Sequence, residues 1–394
     1  MHMKIAVITA FPPSKVTLNE YGYHLVKNFA QKTAVTEVVV FSDKTIDPKD
    51  LDFENSHKVR VVECWSFNNY FNLFSIKNAV YEENPDAVLI NLQFMKFGDK
   101  KIPAGLGLLT PLMLRMGGIP TVSLLHNILE QVDLESAGFT KNKLAQKIYN
   151  QIGTTLTKLI LKSDIVAVTI DKYVGVLEAK YKCKNVRVIP HGTFDTIEEP
   201  SFELSPGPKQ IMAFGKFGTY KKVEILIEAA LIIRERSNPD LEVVIAGTDS
   251  PNTPGYLDAV QEQYKDVKGI HFTGYVEEKQ LPLIFEACTL VAFPYTSTTG
   301  SSGVLHQAGS YGKAVVMPDL GDLALLVVQE GYRGEFFEAE SAQSLALAIE
   351  KIINNDAYRK EIAQQNFKAA SALSMSVITD LYMDTFNGII AAKK

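Results

Sequence analysis

Short, almost wholly apolar runs rich in Val and Ile recur along the chain, and most are followed by a longer stretch with apolar residues at helical spacing. An apolar run without polar alternation predicts a strand buried on both faces. Seven such runs come first: KIAVIT (4–9), EVVVF (37–41), KVRVVE (58–63), AVLIN (87–91), PTVSLL (120–125), IVAVT (165–169) and VRVI (186–189). After a polar, Pro-rich segment, DTIEEPSFELSPGPK (195–209), the alternation restarts with QIMAF (210–214), LEVVIA (241–246), IHFTG (270–274), LVAFP (290–294) and AVVMP (314–318). Strand and helix alternating twice over predict two doubly wound, Rossmann-like α/β domains joined at that segment. We place the first domain at 1–198 and the second at 199–375. The helical stretch 376–394 either caps its own domain or crosses back to the first. Ligands of such sheets bind beyond the carboxyl ends of the strands, which in a two-domain chain are expected to face a central cleft.

Two domains also suit the length of 394 residues. The net charge of −5 resides in the second half, the first being nearly balanced, and neither half has the clustered basic face of a nucleic-acid binder. Cys64, Cys183 and Cys288 are far apart and fit no metal-ligand spacing, which points to a reducing compartment. The opening MHMKIAVITAF is too short for the apolar core of a signal peptide and runs into Pro-Pro. The expectation is a cytoplasmic protein whose only membrane contact is peripheral, on the inner face.

Several chemistries are disfavoured by the motifs. The first strand-to-helix turn, TAFPPSKVTLNEYG, lacks the glycines of a dinucleotide fingerprint, and its prolines remove backbone donors. GSYGKAVV lacks the spacing of a phosphate-binding P-loop, and its Gly-Lys pair precedes a strand. Asp50 and Asp52 form a D-x-D, a spacing that can hold a metal-diphosphate, but they lie in an acid-rich connection and read as a solvated loop. The histidines show no metal-binding cluster, and no metal is expected.

Two stretches of the second half suit an anion. In FGKFGTYKKVEILIEAA (214–230), the strand ends in Gly215-Lys216, and Lys221-Lys222 are expected to open the following helix, where positive charge is unfavourable unless an anion offsets it. In LVAFPYTSTTGSSGVLHQAGSYGKAVV (290–316), Gly300, Ser301, Ser302 and Gly303 fall where a helix begins. Such a start offers exposed N–H groups and hydroxyls, and no acid stands beside it. Together they predict a diphosphate ligand. In the first half, His126 in SLLHNILEQ lies just past a strand end, and Asn19 and Glu20 follow the first strand. The rings of CWSFNNYFNLF (64–74) could stack on sugar, but burial is the expected fate of such residues. Residues 139–163 carry five lysines and no acid at helical apolar spacing, which suits either an anionic membrane surface or a solvated helix over the core.

At residues 209–372 the sequence resembles the nucleotide-sugar-binding domain of glycosyltransferase family 4, the group 1 retaining enzymes of the GT-B fold. The matching positions are Gly215-Lys216, Lys221, FTGYV (272–276), YGKAVV (311–316), VIPHG (188–192) ahead of the linker, and the Gly of AGTDSPN. The resemblance implies donor contacts from Gly215, Lys216, Lys221, Tyr275, Thr299, Gly300, Ser301, Ser302, Gly303, Val304 and Gln307. It implies a sugar or acceptor contact from His126, with Asn19 and Glu20 on the acceptor side. Two family glutamates fall on Thr299 and Gln307, and Lys222 replaces a glycine.

The implied activity is transfer of a sugar, with retention, from a UDP-, GDP- or ADP-sugar to a glycan, lipid-linked or small-molecule acceptor. Lys216 and Lys221 would neutralise the leaving diphosphate without metal or other cofactor. The alternative is a non-catalytic nucleotide-sugar-binding subunit, which the loss of both glutamates motivates. A sugar-nucleotide epimerase would need cleft carboxylates that the sequence does not supply.

Overall fold

A computed structural model describes residues 2–14, 16–45, 51–131, 143–194 and 198–393. It divides into two compact units, residues 1–194 with 375–394 and residues 195–374.

The first unit is built on a parallel sheet of seven strands: β1 Met3–Ile8, β2 Val35–Asp43, β3 Val59–Trp65, β4 Ala87–Leu92, β5 Thr121–Leu125, β6 Ile165–Val168 and β7 Val186–Val188. Their order is β3-β2-β1-β4-β5-β6-β7, which reverses between β1 and β4. The apolar runs form the central strands because β1, β4 and β5 are covered on both faces, and Ile5, Val7, Leu89 and Leu124 are fully buried. The helix Asn19–Gln31 comes so close to β1 that a side chain at Gly22 would overlap Thr9 and the Ala10 carbonyl.

The C-terminal helix Met375–Lys393 belongs to this unit, not to the second, so the second domain ends at 374. Its Ile378, Tyr382 and Phe386 enter the core beside Phe29, and the Lys32 ammonium pairs with Asp380 at 2.7 Å. Apolar spacing alone does not reveal which sheet such a stripe covers.

The second unit has six parallel strands: β8 Gln210–Phe217, β9 Glu242–Asp249, β10 Ile270–Gly274, β11 Leu290–Ala292, β12 Ala314–Pro318 and β13 Glu335–Phe337. Their order is β10-β9-β8-β11-β12-β13, reversing between β8 and β11. The three-residue β13 has no counterpart among the predicted runs. Its core joins Ile211, Val243, Leu290 and Val316 of the sheet to Leu226, Ile233, Ile349 and Ile352 of the covering helices.

The helix expected to open at Lys221-Lys222 instead begins at Glu224. Residues 220–222 are held in an extended bridge, with Lys221 opposite Tyr295, the Lys222 amide donating to the Pro294 carbonyl and the Thr296 amide to that of Tyr220. Backbone committed to a neighbouring loop cannot enter a helix. The acidic Glu224 takes the first turn, as the helix dipole favours.

Candidate functional site

At the strand-order reversal of the second unit, a cavity opens with about 400 Å³ of empty space, its open mouth included. Tyr220 and Lys221 come from the loop after β8, and Tyr295 with Thr298–Val304 from the loop after β11. Leu323 comes from the helix Gly321–Gln329 that follows β12. This is where an open α/β sheet binds ligands, because the loops part there beyond the strand ends.

The wall of the cavity carries unspent hydrogen-bond donors. The helix Gly303–Ser310 begins at the mouth with Ser302 as its cap, the hydroxyl of Ser302 accepting from the Leu305 amide. The amides of Ser301, Ser302, Gly303 and Val304 have no hydrogen-bond partner among the described residues. Lys221 is half-buried between Tyr220 and Tyr295, its ammonium 4.8 Å from the centre of the Tyr295 ring, with no hydrogen bond or ion pair among the described residues. Burial without a countercharge pulls the Lys221 amine from 10.5 down to about 8. An ammonium and four amides around one opening form an anion site, since each gains a strong acceptor when a phosphate oxygen arrives.

The loop's shape is set from behind. Gly300 has a φ of +81°, and its amide donates to the buried Asp322 carboxylate at 3.0 Å. The Thr298 hydroxyl donates to the Leu320 carbonyl and accepts from the Leu323 amide. Gly215 has a φ of +124°, and a Cβ there would lie 2.8 Å from the Lys221 Nζ, so the glycine at the end of β8 makes room for the ammonium.

In the first unit, the corresponding reversal between β1 and β4 gathers a polar chain. The Asn91 side chain donates to the Thr9 hydroxyl at 3.0 Å, and its carbonyl oxygen lies 2.7 Å from Nε2 of His126. Asn91 thereby assigns the proton of the imidazole to Nε2. Tyr21 packs edge-on against His126, with ring centres 4.6 Å apart, and donates its hydroxyl to the His191 carbonyl. Desolvation, with His191 and Lys96 nearby, holds His126 well below 6.5 and therefore neutral. Lys96 is itself buried, donates to the Thr17 carbonyl and is lowered to about 7 by burial, which Asp43 partly offsets.

Residues 195–369 match the family described as glycosyl transferases group 1. That match spans nearly all of the second unit. O-antigen chain mannosyltransferase C of Escherichia coli is 22% identical over 266 residues, 64% of this chain and 67% of that protein. Sucrose-phosphate synthase from Thermosynechococcus elongatus superposes with a TM-score of 0.75 at 18% identity, covering 99% of this chain and all (100%) of the other. HepE of Anabaena in complex with UDP-glucose gives 0.67 at 17% identity, covering 98% and 100%. Both units are Rossmann-like, the fold is GT-B, and the chain is a glycosyltransferase.

Within the second unit, the sequence-predicted residues divide. Lys221, Thr299, Gly300, Ser301, Ser302, Gly303 and Val304 line one cavity, and Gly215 abuts it through Lys221. Lys216 does not line it: alternation along β8 leaves its side chain exposed, so one ammonium stands there where two were expected. Tyr275, 73% exposed beyond β10, and Gln307, one turn into the helix, are not in the wall. Lys222 is engaged elsewhere, donating to the Gly218 carbonyl and lying over the Tyr256 ring.

In the other unit, Asn19 closes its own loop by donating to the Ser14 carbonyl at 2.6 Å, and Glu20 is exposed. The rings of 64–74, expected to be buried, are not, apart from Trp65: Phe67, Tyr70, Phe71 and Phe74 are 45% to 69% exposed. The Asn72 side chain bridges both backbone groups of Ser66, and Asn68 binds the 97–100 loop, so the backbone is satisfied while these rings remain exposed. Asp52 is exposed, whereas Asp50 lies outside the described residues.

Within the basic stretch 139–163, a helix runs Lys143–Ile160, and 139–142 lie outside the described residues. No helix among the described residues is long and apolar enough to cross a membrane.

Sequence reasoning missed Asn91 and Asp322, which position rather than line the sites. Asn91 had a signal, as the one polar residue closing an apolar strand. Asp322 had none, because its partner is a backbone amide 22 residues away in sequence.

Proposed function

We propose that the chain moves a sugar from a nucleoside diphosphate sugar to a glycan or lipid-linked acceptor, with retention and without a metal. The observation that carries the reading is the cavity wall, lined by residues whose one ammonium and four amides have no hydrogen-bond partner among the described residues. The diphosphate would lie against the amides of Ser301 to Val304, with Lys221 countering the charge that develops as the sugar departs. An ammonium about 4 Å from that charge is worth about 4 kcal/mol at an effective dielectric near 20, comparable with a good oxyanion donor. Thr299 would offer the sugar a neutral hydroxyl where the family resemblance expects a carboxylate.

No side chain here is assigned as a covalent nucleophile; the leaving phosphate takes the acceptor's proton. His126, held neutral, is assigned to sugar contact rather than to proton abstraction. A polysaccharide acceptor is supported by the E. coli relative, named for O-antigen chains, and a nucleoside diphosphate sugar by HepE, seen with UDP-glucose.

The test incubates the protein with UDP-, GDP- and ADP-sugars and candidate acceptors, following nucleoside diphosphate release and the anomeric configuration of the product. Release that requires acceptor and Lys221, with the donor's configuration kept, is the expected result. Binding without release for any acceptor would favour the non-catalytic subunit, and inversion would overturn the stereochemical part.

A further inference from the structure

Behind the cavity lies a buried polar cluster with no part in the reaction described so far. The Ser301 hydroxyl, in the cavity wall, is 3.1 Å from Nε2 of His306. The other nitrogen of that ring, Nδ1, is 2.9 Å from the Tyr332 hydroxyl. Glu330 approaches Nε2 at 3.6 Å, and both its carboxylate oxygens are buried without a hydrogen-bond partner among the described residues. The His306 and Glu330 side chains are only 2% and 7% exposed.

A carboxylate so placed is costly unless a positive charge faces it or it takes up a proton, and burial does push the Glu330 carboxyl up to about 8. His306 Nε2 faces that carboxylate, and one proton can sit on either group of the pair. With the proton on the imidazole, Nδ1–H donates to the Tyr332 hydroxyl and Nε2–H points at Ser301 Oγ and Glu330. With it on Glu330, a ring protonated at Nδ1 can accept at Nε2 the hydroxyl proton of Ser301, which then offers the cavity only lone pairs.

We propose that Glu330 and His306 are positioning residues for Ser301: they hold Nε2–H as donor to Ser301 Oγ, so that the Ser301 O–H donates to the bound nucleoside diphosphate. No bond to carbon or phosphorus is made by this group, and no proton leaves the cluster for solvent. The proposal rests on the donor-site reading above. It supplies the anion with one more charge-polarised donor in a loop with no cationic side chain of its own.

The test is a double-mutant cycle on binding, measured calorimetrically with whichever of UDP, GDP and ADP binds the wild type most tightly. The proteins are wild type, Ser301→Ala, Glu330→Gln, the double variant, and Lys221→Met as a control. Losing a hydrogen bond to a charged group should weaken binding on the order of tenfold or more in Ser301→Ala. Glu330→Gln, which cannot hold the imidazole positive, should lose a similar factor, and the double variant no more than either single one.

Additive losses, or Glu330→Gln binding like wild type while Lys221→Met does not, would overturn the proposal and leave the donor site standing. Failure of every nucleotide to bind, or indifference to Lys221→Met, would overturn the donor-site reading itself, and this proposal with it. Thermal unfolding of each unliganded variant shows that a loss of binding is not a loss of fold.

Discussion

Replacing Lys221 by Met should make the unliganded protein more stable and the enzyme nearly inactive. In the folded chain the amine is lowered to about 8 from 10.5, with burial as the cause. A difference of this size corresponds to about 3 kcal/mol at most, and because the side chain is only half-buried, solvent screening reduces it to about 1–2 kcal/mol. The unfolded chain holds the proton up to its ordinary value and the folded chain only to about 8. The penalty is therefore complete below pH 8 and fades as pH rises from about 8 to about 10.5.

At pH 7 Lys221→Met should raise the Tm of the transition that unfolds the second unit by about 2–8 °C, and near pH 10.5 the gain should vanish. The same variant should lose about two to three orders of magnitude in turnover and the Tm rise that a nucleoside diphosphate gives the wild type. Nucleotide affinity of the wild type should fall as pH is taken above 8, and that fall should be absent in the variant. Scanning calorimetry with and without nucleotide at both pH values reads all of this. A variant of unchanged or lower Tm that is still stabilised by nucleotide would refute the idea that Lys221 is an ammonium stored without a partner for an anion.

Gly215→Ala combines a backbone at φ +124° with a methyl group 2.8 Å from the Lys221 Nζ, so it should cost about 1–3 kcal/mol of stability and weaken nucleotide binding, measurable by denaturant titration and calorimetry. Asp322→Ala leaves the Gly300 amide without its carboxylate and should destabilise by about 1–3 kcal/mol with a loss of donor affinity, while Asp322→Asn retains more of both. The imidazole of His126, held neutral, should show no titration by NMR between about pH 6 and 8, and the activity profile should have no limb from it in that range. Deleting residues 375–394 removes Ile378, Tyr382 and Phe386 from the first unit's core and, at about 2–5 kcal/mol for each such side chain, should leave that unit unfolded by circular dichroism.

The architecture was legible because the apolar runs are those of buried parallel strands. Runs 270–274 and 314–318 coincide with β10 and β12, and most other predicted strands lie within a few residues of the observed ones. The anion-binding loop was legible for the same local reason: a glycine with positive φ, a serine cap and the following helix are all written within 300–310. What was not legible depends on contacts distant in sequence. Whether Lys221 opens a helix or an extended bridge is decided by Tyr295, and whether Lys216 joins it by which face of β8 is covered. The exposure of Phe67, Tyr70, Phe71 and Phe74 depends on how the loop around Asn68 and Asn72 is tied, which composition does not encode.

The central claim is that the cavity after β8 and β11 holds the diphosphate of the donor, and a crystal structure with UDP, GDP or ADP at saturation tests it most directly. Phosphate oxygens are expected about 3 Å from the Lys221 Nζ and from the amides of Ser301 to Val304. A nucleotide bound elsewhere in the protein, with those donors still unmet, would contradict it.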